Sequence, residues 1–559
     1  MPNNSVLPKS KLKRYTLPYL SITSSVVPLC SALFSVFFCA STYAKDYDLM
    51  WNDNPIKIEF DSSLNWGALL RTQNPDKNTI NTPTSSKTPT EISYAATVLN
   101  GNDGDRNFNT GLISNRVGLT ADMITTWQNY GTFIRARAYN DVYYTDHNPR
   151  DYQPKTGVEA LGNSSDYNGD KLGKWQERAE AQSGRGFEFL DSYVYGNFDG
   201  DDHPLDIRLG RQVISWGESL AFPSSISSAQ NSVDQEAGMG AGTVLKEIFR
   251  PIGSFYVQYG LTEALSVQSY YQYEHEGVLM APAGTYWSEQ DQLGSGGYTF
   301  YIPYLGAARR IDKFSDVKQG GQWGLATRYL TEGGTEFGIY NLRYHDRYAS
   351  MSVSPLEHTY TTYYMEDIRL YGLSAATVIG KTNINGEISY RPNTAVVLAA
   401  DPYGGAIVRG EFTQAQISWT NLFEPTEYYD NLTFVGEVVG WNYGAITGSG
   451  NEDKDLNNSN TKNGWAFRMM GFFAYKNIVD ELDIEVPVVW EYTPDGSNFR
   501  SNTRNHASMA SIGVTSNFYD WQFGIIYTQF DGPSSSKPIP DLYMTNDRDN
   551  LAFSIKLNF

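Results

Sequence analysis

Leu551-Ala552-Phe553-Ser554-Ile555-Lys556-Leu557-Asn558-Phe559 is the stretch on which the fold of this chain turns. Successive side chains of an extended strand point to opposite faces. Leu551, Phe553, Ile555, Leu557 and Phe559 therefore share one side, and Ala552, Ser554, Lys556 and Asn558 the other. A strand with one wholly apolar face needs an apolar partner, either a packed protein core or lipid.

The same period of two recurs along the chain. Leu265, Val267, Tyr271 and Tyr273 alternate with Ser266, Gln268, Gln272 and Glu274. Leu482, Ile484, Val486, Val488 and Trp490 alternate with Asp483, Glu485 and Glu491, and Trp521, Phe523, Ile525 and Tyr527 with Gln522, Gly524 and Thr528. Rougher segments lie near 56–72, 112–122, 131–144, 187–199, 205–214, 253–260, 320–330, 335–345, 366–379, 382–391, 411–423, 430–442, 463–475 and 507–518. With the last strand this predicts about 14–18 strands, an even number being expected of a closed single-chain barrel. The connections have two lengths. Leu261-Thr262-Glu263 and Asn517-Phe518-Tyr519-Asp520 are short turns, whereas 142–186, 276–319, 443–462 and 531–548 are long and rich in Gly, Asn, Asp, Ser and Pro.

Composition chooses lipid over a protein core. The chain has 40 Tyr, 27 Phe, 12 Trp and 50 Gly, yet its mean hydropathy is −0.43. That combination fits an all-β transmembrane β-barrel of the outer membrane, where polar lumen residues alternate with lipid-facing ones and aromatic girdles mark the interfaces. A final strand of this kind, ending on an aromatic residue, resembles the signal read by that membrane's barrel-assembly machinery. Phe553, Ile555, Leu557 and Phe559 carry it.

The N-terminus agrees with export. Lys9, Lys11, Lys13 and Arg14 precede an apolar run from Val26 to Ala40 and then Ser41-Thr42-Tyr43-Ala44, the parts of a secretory signal peptide over 1–44. Cys30 and Cys39 follow Leu29 and Phe38 rather than a small residue, which argues against lipid attachment. Both cysteines lie in this leader, so the mature chain has no disulfide, thiolate metal site or cysteine nucleophile, and no cofactor is expected. Removing four basic residues takes the net charge from −19 to −19 − 4 = −23, a poor surface for nucleic acid. The strand pattern is weak after Thr72, so residues 45–110 have an alternative reading as a plug in the barrel mouth, with the barrel proper over 111–559.

Three stretches carry more than periodicity. They are Asn102-Asp103-Gly104-Asp105-Arg106-Asn107-Phe108 with Gly111 and Ser114-Asn115-Arg116, then Arg208-Leu209-Gly210-Arg211-Gln212-Val213-Ile214-Ser215-Trp216-Gly217-Glu218-Ser219, then Lys246-Glu247 and Pro251 through Tyr270-Tyr271-Gln272 to Gly284-Thr285-Tyr286 and Asp291. In this order they resemble the Gram-negative family called domain of unknown function 1302, from about Phe60 to the C-terminus. The resemblance implies an outer-membrane location. It also implies a looser relation to channels of the long-chain fatty-acid type, and a link with hydrophobic compounds.

The acids Asp103 and Asp105 and the amide Asn107 are spaced like the start of a calcium loop, but Phe108 and Ser114 stand where such a loop needs Gly and Glu, which favours a plain Asx-rich turn. In the second stretch Arg208 and Arg211 fall on opposite faces of a strand. A lipid-facing arginine at mid-depth costs roughly 2–4 kcal/mol. One of them should then lie near an interface, or a bulge should turn both inward. Arg208, Arg211, Gln212, Trp216 and Glu218 are the candidates for lining or gating the lumen, with Asp191 and Arg137 as charge partners. The same residues equally suit an ion-pair network that braces the wall. Of six histidines only His345-Asp346 suggests an oriented base, and neither a G-x-S-x-G elbow nor an H-E-x-x-H motif is present.

The expected function is passage of hydrophobic small molecules of the fatty-acid, sterol or hydrocarbon class, aided by aromatic loops at Tyr298 to Tyr304 and Tyr360 to Tyr364. A general aqueous porin and an outer-membrane hydrolase are the alternatives. The expected partners are outer-membrane lipid, the assembly machinery and the hydrophobic ligand, with room for a periplasmic partner. Edman sequencing of the membrane-embedded protein should begin at Lys45; Met1 at that position would refute the leader.

Overall fold

The computed structural model describes residues 45–51, 53–76, 100–101, 103–147, 175, 177–200, 203–302, 305–311, 317–398, 407–447, 456, 460–501, 503–533 and 545–559. The leader over 1–44 and residues 77–99 of the expected plug lie outside them. Nineteen strands join in one sheet. They are β1 (Lys45–Trp51), β2 (Asn54–Arg71), β3 (Gly111–Trp127), β4 (Tyr130–Asp141), β5 (Arg185–Phe198), β6 (Leu205–Gln212) and β7 (Ile252–Gly260). Then come β8 (Leu265–Gln272), β9 (Gln322–Leu330), β10 (Glu336–Tyr344), β11 (Ile368–Ile379), β12 (Thr382–Val397) and β13 (Ile407–Phe423). The last are β14 (Asn431–Thr447), β15 (Asn463–Val479), β16 (Leu482–Asp495), β17 (Ser508–Phe518), β18 (Trp521–Asp531) and β19 (Asn550–Asn558).

From β2 onward each strand pairs antiparallel with the next, and β19 pairs back with β2 from Ser63↔Asn558 to Arg71↔Asn550. Setting β1 aside, the nineteen leave a closed ring of eighteen. β1 folds back on the start of β2 (Lys45↔Phe60) and takes over its edge where β19 stops, at the mutual backbone bonds of Ser62 and Phe559. The wall thus begins at Asn54, not at residue 111, and β2 seals the ring rather than plugging it. Closure leaves no free edge, which lipid could not satisfy. Among the described residues no helix is long and apolar enough to cross a membrane.

The outer face is apolar wherever a strand crosses. Trp66, Ile555 and Phe523 form one outward row across β2, β19 and β18, and Ile339 and Leu373 are 61% and 54% exposed on β10 and β11. The assigned facing of the last strand is therefore the one the sheet adopts. Turns of two to seven residues join strands at one end of the barrel, and long segments join them at the other.

At the long-loop end the seam carries a buried ionic cap. Arg71 at the top of β2 and Arg548 just before β19 both reach Asp105, at 3.0 and 3.3 Å, and all three are at most 1% exposed. Arg71 also pairs with Asp547 at 3.1 Å, and both guanidinia lie over the Tyr286 ring. Asp105 sits in the single-turn helix Asp103–Asn107, not in an Asx-rich turn, and its carboxylate is committed to Arg71 and Arg548. Nearby, 299–302, 306–310, 350–354 and 359–363 form a small four-stranded sheet. Phe300 and Tyr360 are 7% and 1% exposed in its core, so these two aromatic residues are packed inward rather than offered as a landing surface.

Replacing Ile555 by Lys should put a charge on the lipid face at a cost of about 2–4 kcal/mol and sharply lower the yield of heat-modifiable barrel. Gln522→Lys, which faces the interior from β18 beside Lys556, is the control and should assemble. Equal yields for the two variants would contradict the facing.

Candidate functional site

The segment 213–251, between β6 and β7, folds into the barrel. It doubles on itself first: Asn231 Oδ1 accepts the Ile214 N–H at 3.0 Å, and Gln230 Oε1 accepts that of Trp216 at 2.9 Å. Asp234 then caps the short helix Gln235–Met239 by accepting the Ala237 N–H at 3.0 Å.

On its outward run the segment meets successive wall strands. The Trp216 indole is 2% exposed, with its ring 4.9 Å from Tyr270 of β8 and 6.1 Å from Tyr340 of β10. Gly324 of β9 leaves room for it, because a Cβ there would lie 2.7 Å from the indole. Glu387 of β12 accepts the N–H groups of Glu218 and Ile226 at 2.7 and 2.9 Å. Glu437 of β14 accepts those of Leu220 and Ala221 at 3.2 and 2.6 Å and the Ser219 hydroxyl at 3.1 Å. Arg391 donates to the Ser225 carbonyl, and Arg347, from the loop after β10, to that of Ala229.

The return run crosses to the other side. The Ala241 carbonyl packs so closely on β2 that a Cβ at Gly67 would sit 2.0 Å from its oxygen. Lys246 pairs with Asp122 at 3.0 Å, Glu247 accepts the Thr120 hydroxyl at 2.7 Å, and Arg137 binds Asp234 at 2.8 Å. The inner faces of β7–β14 are accordingly largely buried, whereas those of β6 and of β16–β19 stay partly open.

The named candidates come together only in part. Arg208 faces inward, paired with Asp206 at 2.7 Å and lying over the Tyr256 ring. Arg211 faces outward at the loop rim, 3.3 and 3.1 Å from Glu274 and Glu276, which is how the strand avoids an arginine in mid-membrane. The expected charge partners differ. Asp191 pairs with Arg135 at 3.3 Å, and Arg137 with Glu188 and Asp234, because β4 and β5 face the return run and not the end of β6. Gln212 ties β6 to the Ser254 carbonyl of β7. Trp216 and Glu218 belong to the inserted segment, Glu218 through its backbone. Glu387, Glu437 and Arg391 went unnamed; the only signal for them is a charge on the inward parity of a strand. The His345 ring is spent between the Gly320 carbonyl and the Asp367 N–H, while Asp346 grips Arg500 at 2.9 and 2.5 Å. Among the described residues no cluster of acids, His or Cys could hold a metal ion.

A closed antiparallel barrel with an apolar belt and a segment folded into its lumen belongs to the class of membrane-spanning β-barrels. Residues 26–559 match the family described as protein of unknown function (DUF1302), and the chain belongs to that family. No curated protein is significantly similar in sequence. Among solved structures, OccAB1 of Acinetobacter baumannii shares 9% identity over 93% of this chain and 99% of its own, at a TM-score of 0.44. A BenF-like porin from Pseudomonas fluorescens Pf-5 shares 7% over 90% and 98% at 0.40, and the outer membrane channel DcaP of Acinetobacter baumannii 11% over 90% and 97% at 0.35. At such scores the fold rests on this chain's own ladders.

Glu236, in the short helix of the inserted segment, is the group there most open to pH. Burial, and then Asp234, push its carboxyl from 4.5 up to about 8; Ser183 donates to it at 2.8 Å, Arg116 of β3 opposes the shift, and Asp141 at the end of β4 adds to it. A folded pKa above the unfolded one means that its stabilising contribution is whole below 4.5 and is lost as pH rises to about 8. Hydrogen exchange at 237–239, corrected for intrinsic rate, should speed up as pH rises from 4.5 to about 8 and level off above it, and Glu236→Gln should remove that step. An unchanged step in the variant would assign it elsewhere.

Proposed function

We propose that this protein is an outer-membrane channel for small hydrophobic molecules, its lumen reduced by 213–251 to a passage along β16–β19. One observation carries the reading: Gly513, Ile526 and Ala552 stand in register across β17, β18 and β19 as an apolar row on the inner wall, and Pro487 of β16 has the same inward parity where the β16–β17 ladder skips a pair. An apolar solute loses little there, because no buried donor or acceptor is left without water. Along this wall Glu485 stands in the adjacent inner row, and Glu491, paired with Arg468, and Asp483 and Lys556 lie one row further out on either side.

A general aqueous porin is the second reading. It is favoured by the rows that flank the apolar one, Val489, Ser511 and Thr528 on one side and Thr515, Gly524 and Ser554 on the other.

In planar bilayers the wild-type protein should conduct ions poorly. Glu387→Ala with Glu437→Ala, which strips the acceptors from the inserted segment, should raise conductance several-fold. Cells lacking the protein should grow more slowly on a hydrophobic carbon source, and Ile526→Asp should reproduce much of that defect. Large, steady wild-type conductance with no growth defect would leave the aqueous porin in its place.

A further inference from the structure

A second site lies on the outside of the barrel, near the long-loop rim. It is a pocket of about 690 Å³ whose walls include Trp323, Arg343, Asp367, Arg369, Tyr371 and Asn393. Its floor follows from strand register. Trp323 of β9, Arg343 of β10 and Arg369 of β11 stand side by side in one outward row, so two guanidinium groups rise from directly opposed positions. Like charges so placed repel. Asp367 pairs with Arg343 at 2.8 Å. The Arg369 guanidinium has no carboxylate among the described residues.

The pocket exists because the ladder between β11 and β12 stops short. Pairing begins at Tyr371↔Tyr390, and the residue that would face Arg369 is Pro392, which has no N–H to give. The Asn393 side chain bridges the gap instead, accepting the Arg369 N–H at 2.9 Å and donating to the Asp367 carbonyl at 2.9 Å. Arg409 of β13 closes this corner by donating to the carbonyls of Asn393 and Glu366. A chain of net charge −19 has thus gathered three arginines against two acids at one point on its outer rim.

What lies next to this point decides the ligand. The following outward rows hold Leu325, Asn341 and Tyr371, then Thr327, Ile339 and Leu373, and Leu325, Ile339 and Leu373 are 45%, 61% and 54% exposed on the apolar belt. A basic pocket directly above a lipid-facing slab matches a molecule with an anionic head and apolar tails. We propose that this pocket binds the phosphate headgroup of a lipid in the leaflet at the long-loop end, with Arg343 and Arg369 gripping the phosphate and the acyl chains lying along β9–β11. Guanidinium groups suit this task because they engage phosphate oxygens through paired N–H donors. The inference rests on the lipid-facing wall, not on what the lumen carries.

The test uses the full mature chain in detergent micelles, with bound lipid counted by native mass spectrometry. Diphosphorylated lipid A is the probe, and inorganic phosphate and a neutral diacylglycerol are the comparators. The wild type should hold one lipid A tightly, while neither comparator displaces it at equal concentration. Arg343→Gln with Arg369→Gln should weaken binding about tenfold or more, since two charge-assisted contacts are lost. Arg369→Gln alone, which breaks no ion pair of the protein, should give a partial loss and serves if the double variant assembles poorly. Both variants should keep wild-type conductance, because these side chains point away from the lumen. Lipid A binding that is unchanged in the variants would overturn the proposal. So would displacement by inorganic phosphate at equal concentration, which would make this a free-anion site.

Discussion

Lipid on the outside is the constraint from which the rest of this structure follows. A wall that presents Ile339, Leu373, Ile525 and Ile555 to hydrocarbon can carry charge only inward or at its rims. Each arginine and acid of β3–β6 and β12–β15 obeys this. Arg135 meets Asp122, Arg137 meets Asp234, Arg468 meets Glu491, and Arg211, which points outward, does so at the rim beside Glu274 and Glu276. The same demand closes the sheet, because an open strand edge would leave unpaired N–H and C=O groups in a medium with no water to take them. β2 and β19 meet for that reason, and the Arg71–Asp105–Arg548 cluster locks their loop ends together.

A ring of eighteen strands encloses more space than its own side chains fill. The segment 213–251 occupies part of it, and it brings backbone N–H groups into an interior where they need acceptors. Glu387 and Glu437 supply those, taking four backbone N–H groups and one hydroxyl between them. Hydrogen bonds to an ionised group contribute about 1.5–3 kcal/mol each, so a few of them hold a segment that has almost no regular structure. The aromatic contacts of Trp216 with Tyr270 and Tyr340 add a packed anchor on the neighbouring strands β8 and β10.

The insertion makes the lumen unequal. Around β3–β6 the wall is tied to the returning segment by ion pairs and leaves little room. Around β16–β19 the inner face stays partly open, and this is the stretch of wall that the proposed passage uses. The outer surface is unequal as well. One interruption of the ladder, at Pro392, lets a basic pocket form above the apolar belt on β9–β11.

Much of this was legible in the residues themselves. All eighteen wall strands coincide with segments of period-two alternation, the facing of 551–559 holds, and the opposition of Arg208 and Arg211 is resolved at the rim. Alternation is local, and lipid on one side enforces it at every crossing, so one strand's residues suffice to reveal it. Which interior charges meet was not legible. Asp191 lies 20 residues before Arg211 and on the neighbouring strand, yet it pairs with Arg135, because in-register neighbours and the path of the insertion choose the partner. Nor did 213–251 show its destination. It has no period, and its acceptors Glu387 and Glu437 lie 161 to 218 residues away along the chain. The sequence by itself determined a closed, lipid-facing wall. Only the tertiary structure decided what fills that wall and which side stays open, because those contacts join strands that only closure of the ring brings around one lumen.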